Sequence, residues 1–206
     1  MGKVTTSLTM SLDGFIAGPN DGPEHPLGEG GMRLFDWYNS GDTEFVVPSG
    51  TMTSKVSAAS AAMMRESYAE VGALISGRKT FDITDGWGGR HPVDTPVFVV
   101  THAVPQEWIA RHPGAPFTFV TAGVESAVAQ ARAVAGEKDV AVAAASIVQQ
   151  CLKAGLLDEF QVDVVPFLLG GGVRLFEQFG NAPIELERTA VIEGTGVTHL
   201  RFRIVK

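Results

Sequence analysis

The tetrad Gly77-Arg78-Lys79-Thr80 carries the most concentrated anion-binding chemistry in the sequence. It follows a short apolar run, Ala73-Leu74-Ile75-Ser76, and leads into a helical turn near Phe81. A glycine at a strand end lets the backbone approach a ligand closely. A helix N-terminus adds free N–H groups and the positive end of a dipole. Arg78 offers a planar fork, Lys79 a compact charge and Thr80 a hydroxyl, so the four residues together suit a phosphate. A second turn of this kind follows Val140-Ala141-Val142, where Ala143, Ala144 and Ala145 lead into Ser146 and Ile147. A pyrophosphate is the usual ligand of such a turn, and glycine its usual residue. With alanines there, the stretch reads equally well as a plain buried strand and helix.

These turns need strands and helices to hold them. Lys3–Leu12 alternates as a strand, and the Asp13-Gly14 turn and a short apolar segment follow it. Residues 22–50 form a long Gly/Pro-rich stretch whose apolar patch, Leu34–Tyr38, suits either a pocket wall or a contact with a second subunit. Ser54–Val71 reads as a helix capped by Ser54 or Ser57. Pro96–Val100 and Phe117–Val120 read as strands, and Gly123–Ala135 as an amphipathic helix ended by Gly136. A helix runs from Ile147 towards Gly155, and Phe160–Val165 is β-branched and aromatic. Ile184–Glu193 and Val197–Val205 flank Gly194-Thr195-Gly196 as a closing hairpin. Strands alternating with helices predict an α/β fold of three layers around a mostly parallel sheet with a C-terminal antiparallel hairpin. Residues 1–206 are expected to form one domain.

Three stretches together carry a family resemblance: SLDGFIAGP near the N-terminus, ISGRKTFD in the middle and KAGLLDEFQVDVVPFLLGGGVRLF later. The chain resembles the reductase domain shared by dihydrofolate reductases and the C-terminal half of the bifunctional riboflavin-biosynthesis deaminase-reductase, above all its stand-alone bacterial members. That resemblance implies a dihydrofolate reductase-like αβα sandwich. It implies an NADPH-dependent reductase of a small heterocyclic substrate, pterin- or pyrimidine-like. By resemblance, Gly77 to Thr80 are the cofactor phosphate site and Ala143 to Ile147 meet the pyrophosphate. Thr101 and His102 lie by the adenosine 2′-phosphate, Ala17 and Gly18 near the cofactor, and Asp13 near the reacting ring. Asp13 and Asp163 are the carboxylates expected to orient or protonate the substrate. Asp13 reads equally as a turn carboxylate bonded to nearby N–H groups, and Asp163 as an edge-facing charge.

Two departures stand out. Folate reductases carry an acid in the first turn of the helix at Ser57–Ala62, and this sequence has none there. The family's glycine pair, joined by a cis peptide, is replaced by Ala143-Ala144, which predicts strain or crowding at the turn. A second reading therefore stands beside the enzyme: a non-catalytic module on the same fold that binds a small ligand or dimerises. The sequence leaves the substrate, and nicotinamide against flavin, open.

The net charge is −7, which opposes nucleic-acid and anionic-membrane partners. Hydrophobic residues make up 45% and charged residues 19%, a globular balance rather than a disordered one. No apolar run approaches a membrane span, so a cytoplasmic protein is expected, with a homodimer as its family-level assembly. The lone Cys151 excludes an intramolecular disulfide and reads as a buried apolar residue. No metal site is expected.

Overall fold

The computed structural model describes residues 2–177, 179–180 and 182–206. The N-terminal alternation forms strand β1 (Val4–Ser11), followed by the short β2 (Phe15–Ala17). The long Gly/Pro-rich stretch contains a 3-10 helix, Gly31–Asn39, and then β3 (Thr43–Val46). Next comes β4 (Thr53–Val56), antiparallel to β3. This corrects the helix expected from Ser54. Ser54 and Val56 are buried while Thr53 and Lys55 are exposed, the period of two that a strand shows. Helix α1 (Ala58–Glu70) starts after Ser57, whose hydroxyl accepts the Ser60 N–H at 3.2 Å.

The rest of the chain follows the expected alternation. The elements are β5 (Val71–Gly77), α2 (Arg78–Ile83), β6 (Val97–Val100), α3 (Gln106–Arg111), β7 (Phe117–Val120) and α4 (Val124–Ala135). After them come β8 (Asp139–Val142), α5 (Ala145–Lys153), β9 (Glu159–Val165), β10 (Val173–Arg174), β11 (Leu186–Gly194) and β12 (Val197–Ile204). Helix α3 lies in a stretch where the sequence suggested no element.

Eight strands form the central sheet in the order β11-β12-β9-β1-β8-β5-β6-β7. From β9 to β7 all neighbours are parallel, and the β11–β12 hairpin adds antiparallel to β9. Residues of α4 and α5 pack on one face with Val4, Val140 and Val162, while α2 and α3 pack on the other through Phe81 and Trp108. Helix α1 and the 3-10 helix share a further cluster that includes Leu34, Trp37 and Met64. The fold is thus a three-layer α/β sandwich with a mostly parallel sheet and a C-terminal antiparallel hairpin. Cys151 is fully buried on α5, and burial, with Glu125 adding, pushes its thiol up to about 12.

One pattern in the sheet bears on function. On β1, β9 and β12, alternate residues meet in register as Thr9–Asp163–His199, Ser7–Gln161–Arg201 and Thr5–Glu159–Arg203. Their apolar neighbours, such as Leu8, Val162 and Leu200, belong to the opposite face, under α5. The face turned towards α1 is therefore a grid of polar side chains. Among the described residues no helix is long and apolar enough to cross a membrane, and no group of three or more His, Cys, Asp or Glu side chains is placed to hold a metal ion.

Candidate active site

Among the parallel strands, the direction in which the chain moves across the sheet reverses at one place. From β5 the chain moves outward to β6 and β7; from β8 it crosses β1 to reach β9. The helix after β5 packs on one face and the helix after β8 on the other. Between the carboxyl ends of β5 and β8 this opens a crevice, the usual ligand position in open α/β sheets. The two turns picked out by their chemistry are the two that border it.

They meet closely. A Cβ at Gly77 would lie 3.3 Å from Ile147 Cγ1, 3.5 Å from Ser146 Oγ and 3.6 Å from Ala144 Cβ. Glycine at 77 therefore leaves a small space between the turns. Ala144 caps α5 with φ 94° and ψ 128°, a conformation natural to glycine. Every peptide bond among the described residues is trans, so of the two geometries open to Ala143-Ala144 the turn does not keep the family's cis bond, and it takes its shape through the Ala144 dihedrals. A non-glycine residue held there costs on the order of 1–3 kcal/mol. Ala144→Gly is accordingly expected to stabilise the protein by about 1 kcal/mol, raising Tm by about 2–4 °C in a melting experiment. An unchanged or lower Tm would show that the turn stores no strain.

The remaining predicted cofactor residues divide into engaged and open groups. Arg78 Nε bonds both Asp82 oxygens at 2.8 and 2.9 Å, and its Nη1 bonds Thr101 Oγ1 at 3.3 Å and the Ala103 carbonyl at 2.7 Å. Arg78 and buried Thr101 are thus brought together across the β5 and β6 ends, and among the described residues Arg78 Nη2 has no protein partner. Lys79 Nζ bonds Asp21 at 2.7 Å, tying the loop after β2 to the start of α2. Thr80 is half-buried and His102 exposed. Ser146 is exposed at the start of α5, whereas Ala145 and Ile147 are buried beneath it. Ala17 pairs with Val173, and Gly18 has no room for a side chain because a Cβ would lie 1.9 Å from the Glu29 carbonyl oxygen. Both pack the loops together.

Beside the crevice lies a cavity of about 220 Å³ between α1 and the polar face of the sheet, reaching Ala143 just past β8. Ser7, Thr9, Gln161 and Asp163 line its floor. Phe35, Trp37 and Tyr38 of the 3-10 helix form one wall, and Met63, Met64 and Tyr68 of α1 another. Phe35, Trp37 and Tyr38 of the Leu34–Tyr38 patch thus line a pocket, with Leu34 and Trp37 buried inside the chain.

Asp163 is 6% exposed on a strand between two neighbours, which corrects its reading as an edge-facing charge. Its Oδ1 lies 2.6 Å from His199 Nδ1 and accepts from Gln161 Nε2 at 2.7 Å. Oδ2 is left without a protein partner among the described residues. Gln161 is itself held by Arg201 Nε at 2.8 Å. Burial, reinforced by the Asp163 charge, raises the Tyr68 hydroxyl above its ordinary range; Tyr38 is raised by burial, then by Tyr68 and Asp163. Neither phenol oxygen has a hydrogen-bond partner among the described residues. His91 also lines the cavity, and burial lowers it to about 4, so its imidazole is neutral at pH 7. Its Nδ1 accepts the Val93 N–H at 3.1 Å, which puts the ring proton on Nε2.

Asp13 has a different setting. It accepts from Ser11 Oγ at 2.6 Å and from the N–H groups of Leu169 and Gly170 at 3.0 and 2.7 Å. The Ser11 hydroxyl first, then the Leu169 N–H, hold its carboxyl down at about 2. Asp13 is thus an ionised loop anchor at neutral pH and is not part of the cavity lining. Tyr68, His91, Gln161, His199 and Ser60 were not anticipated. The signal that could have found two of them, Gln161 and His199, is the polar alternation repeated in β1, β9 and β12, which marks a strand face with something other than apolar packing above it.

The family model described as the RibD C-terminal domain matches residues 2–199. No curated protein matches the sequence. Among solved structures, a protein from Shewanella sp. PV-4 named for riboflavin biosynthesis aligns with a TM-score of 0.67 and 22% identity over 99% of each chain. Acinetobacter baumannii RibD aligns at 0.60 and 14% identity over all of this chain and 59% of its own. Dihydrofolate reductase from Enterococcus faecalis, complexed with NADP(H) and RAB-propyl, aligns at 0.57 and 14% identity over 100% of this chain and 98% of its own. At these identities the likeness is one of fold.

Proposed function

Because the chain belongs to the RibD C-terminal domain family, we propose that it is a reductase of a small pyrimidine- or pterin-like heterocycle, using NADPH. The observation that carries this reading is the junction at Ala143, where an aromatic-walled cavity with a carboxylate floor meets the crevice between β5 and β8. When bound, the nicotinamide would supply the hydride. The residues present fit a dinucleotide: Gly77 leaves its space free, Ala144 keeps a glycine-like backbone, and Ser146 and Arg78 Nη2 are open to a phosphate. Thr101 would position Arg78.

The cavity residues would act on the substrate. A planar ring between Tyr38, Tyr68 and the methionines would be desolvated on both faces. The phenol hydroxyls and His91 Nε2–H can donate to ring carbonyl or imine acceptors. Asp163 would hold the proton taken up by the reduced C=N or C=O bond, the role that no residue of the first turn of α1 can fill.

A second reading is favoured by one observation: Arg78 and Lys79 already have carboxylate partners, Asp82 and Asp21. On that reading the fold holds a small ligand without nicotinamide. Calorimetric titration with NADPH, with NADH as control, separates the two. Micromolar binding is expected, weakened about 10- to 100-fold in Arg78→Ala by the loss of one charge-assisted hydrogen bond. Absence of binding at millimolar NADPH would sink the reductase reading and leave the second.

A further inference from the structure

Behind Asp163 a buried polar chain runs away from the cavity. His199 Nδ1 contacts Asp163 Oδ1 at 2.6 Å, and its Nε2 lies 2.8 Å from Ser60 Oγ. Ser60 Oγ accepts from Ser57 Oγ at 3.0 Å. His199 is fully buried and Ser60 is 1% exposed, whereas Ser57 is half-buried at the N-terminus of α1. Ser, His and Asp in hydrogen-bonded series also make the nucleophilic triad of hydrolases. Here the order faces the other way. The carboxylate lines the cavity, and the hydroxyl is sealed behind the imidazole, out of reach of any substrate.

We propose that Ser57, Ser60 and His199 form a proton path that enters at the half-buried start of α1 and ends on Asp163. This rests on the reading of Asp163 as the acid of a reductase. The path reaches Asp163 from the side opposite the cavity, so it stays available when substrate and cofactor cover the cavity side.

Donors and acceptors alternate along the chain. With Ser57 donating to Ser60, the Ser60 hydrogen turns to His199 Nε2, and His199 Nδ1–H donates to Asp163. Each internal member therefore both accepts and donates. Gly194 preserves the central contact: a Cβ there would lie 2.4 Å from Ser60 Oγ and 3.2 Å from His199 Nε2.

Reduction of one C=N or C=O bond takes up a hydride from the reduced nicotinamide and a proton from the Asp163 carboxyl. The carboxylate left behind takes the His199 Nδ1 proton on Oδ1. His199 Nε2 takes the Ser60 hydroxyl proton, Ser60 takes that of Ser57, and Ser57 takes one from solvent. One solvent proton thus enters for each hydride consumed. A half-turn of the Asp163 carboxyl brings the new proton to the cavity side, and rotation of the hydroxyls with a flip of the imidazole ring resets the chain. Asp163 is the catalytic residue; His199, Ser60 and Ser57 are positioning residues that act through it.

The test is solvent exchange of the His199 Nδ1 proton, followed by NMR on protein carrying 15N-histidine, without cofactor or substrate. Ser60→Ala keeps the helix cap, because Ser57 still accepts the backbone N–H at 60. Exchange about tenfold slower in this variant, the scale of losing one buried hydrogen-bond partner, supports the path. Unchanged or faster exchange overturns it, because removing a merely structural hydroxyl loosens His199 and speeds exchange. Gly194→Ala parts Ser60 from His199 without deleting either group and is expected to slow exchange in the same way. If no substrate is ever reduced, the reductase reading fails while the exchange result still decides the path; if turnover is normal and exchange is unchanged, the path alone fails.

Discussion

Asp163→Asn is expected to lower turnover of a pyrimidine- or pterin-like substrate by about 10²–10⁴-fold at neutral pH, the range one positioned acid supplies. The substitution keeps the shape of the site. An Asn Oδ1 can accept from both His199 Nδ1 and Gln161 Nε2, the two bonds that Asp163 Oδ1 accepts now. Only the unpartnered oxygen changes, from a group that can hand over a proton to an amide NH2 that cannot. NADPH affinity should stay within about twofold, since a lost transition-state contact lowers kcat rather than binding. The measurement is steady-state loss of reduced-nicotinamide absorbance, with circular dichroism as the check on folding. A folded variant with wild-type turnover would remove Asp163 from the chemistry. Asp13→Asn makes the contrast: its carboxylate anchors the 169–170 loop, so its loss should appear in stability before it appears in turnover.

Phe81→Ala is expected to cost about 3–5 kcal/mol, lowering Tm by about 2–4 °C for each kcal/mol lost. Phe81 is 2% exposed and meets the rings of Trp108, Phe119 and Phe117 edge-on at 4.9, 5.2 and 5.9 Å. It follows Thr80 directly, so this cluster is what fixes the Arg78–Thr80 turn to the body of the fold. NADPH affinity should fall with Tm, although Arg78 itself is untouched. A loss below about 1 kcal/mol would mean that Trp108 and its neighbours close over the space, the outcome that limits the cost of any large-to-small change.

The parts of this protein that announce themselves in sequence are those built from consecutive residues. Gly77 to Thr80 and Ala143 to Ile147 are each one strand end and one helix start, and periodicity alone sets them on such turns. The cavity is different. Its floor joins Ser7 and Thr9 to Gln161 and Asp163, side by side only because β1 and β9 are neighbours in the sheet, and His199 stands behind Asp163 because β12 is the next strand. Without that pairing, Asp163 resembles a charge on an edge, His199 a lone hairpin histidine and Ser60 one small residue in a run of alanines. The partners of Arg78 and Lys79 were hidden for the same reason: Asp82 is one helical turn away, but Asp21 comes from another loop. Local rules also misplaced β4, where two serines suggested helix caps ahead of α1. Burial alternating from residue to residue in Thr53–Val56 decided for a strand, and only Ser57 caps.

The sole cysteine has a practical consequence. The thiolate is the form that attacks an alkylating reagent, and Cys151 is both sealed on the inner face of α5 and held in its thiol form by burial. A maleimide or iodoacetamide added to the native protein meets no thiolate until the α4–α5 face comes away from the sheet. The rate of modification then counts the fraction of molecules that are open at any moment. The chain carries its own single-site gauge of breathing, read by mass spectrometry as one added label per opened molecule, with no dye or mutation to be installed first.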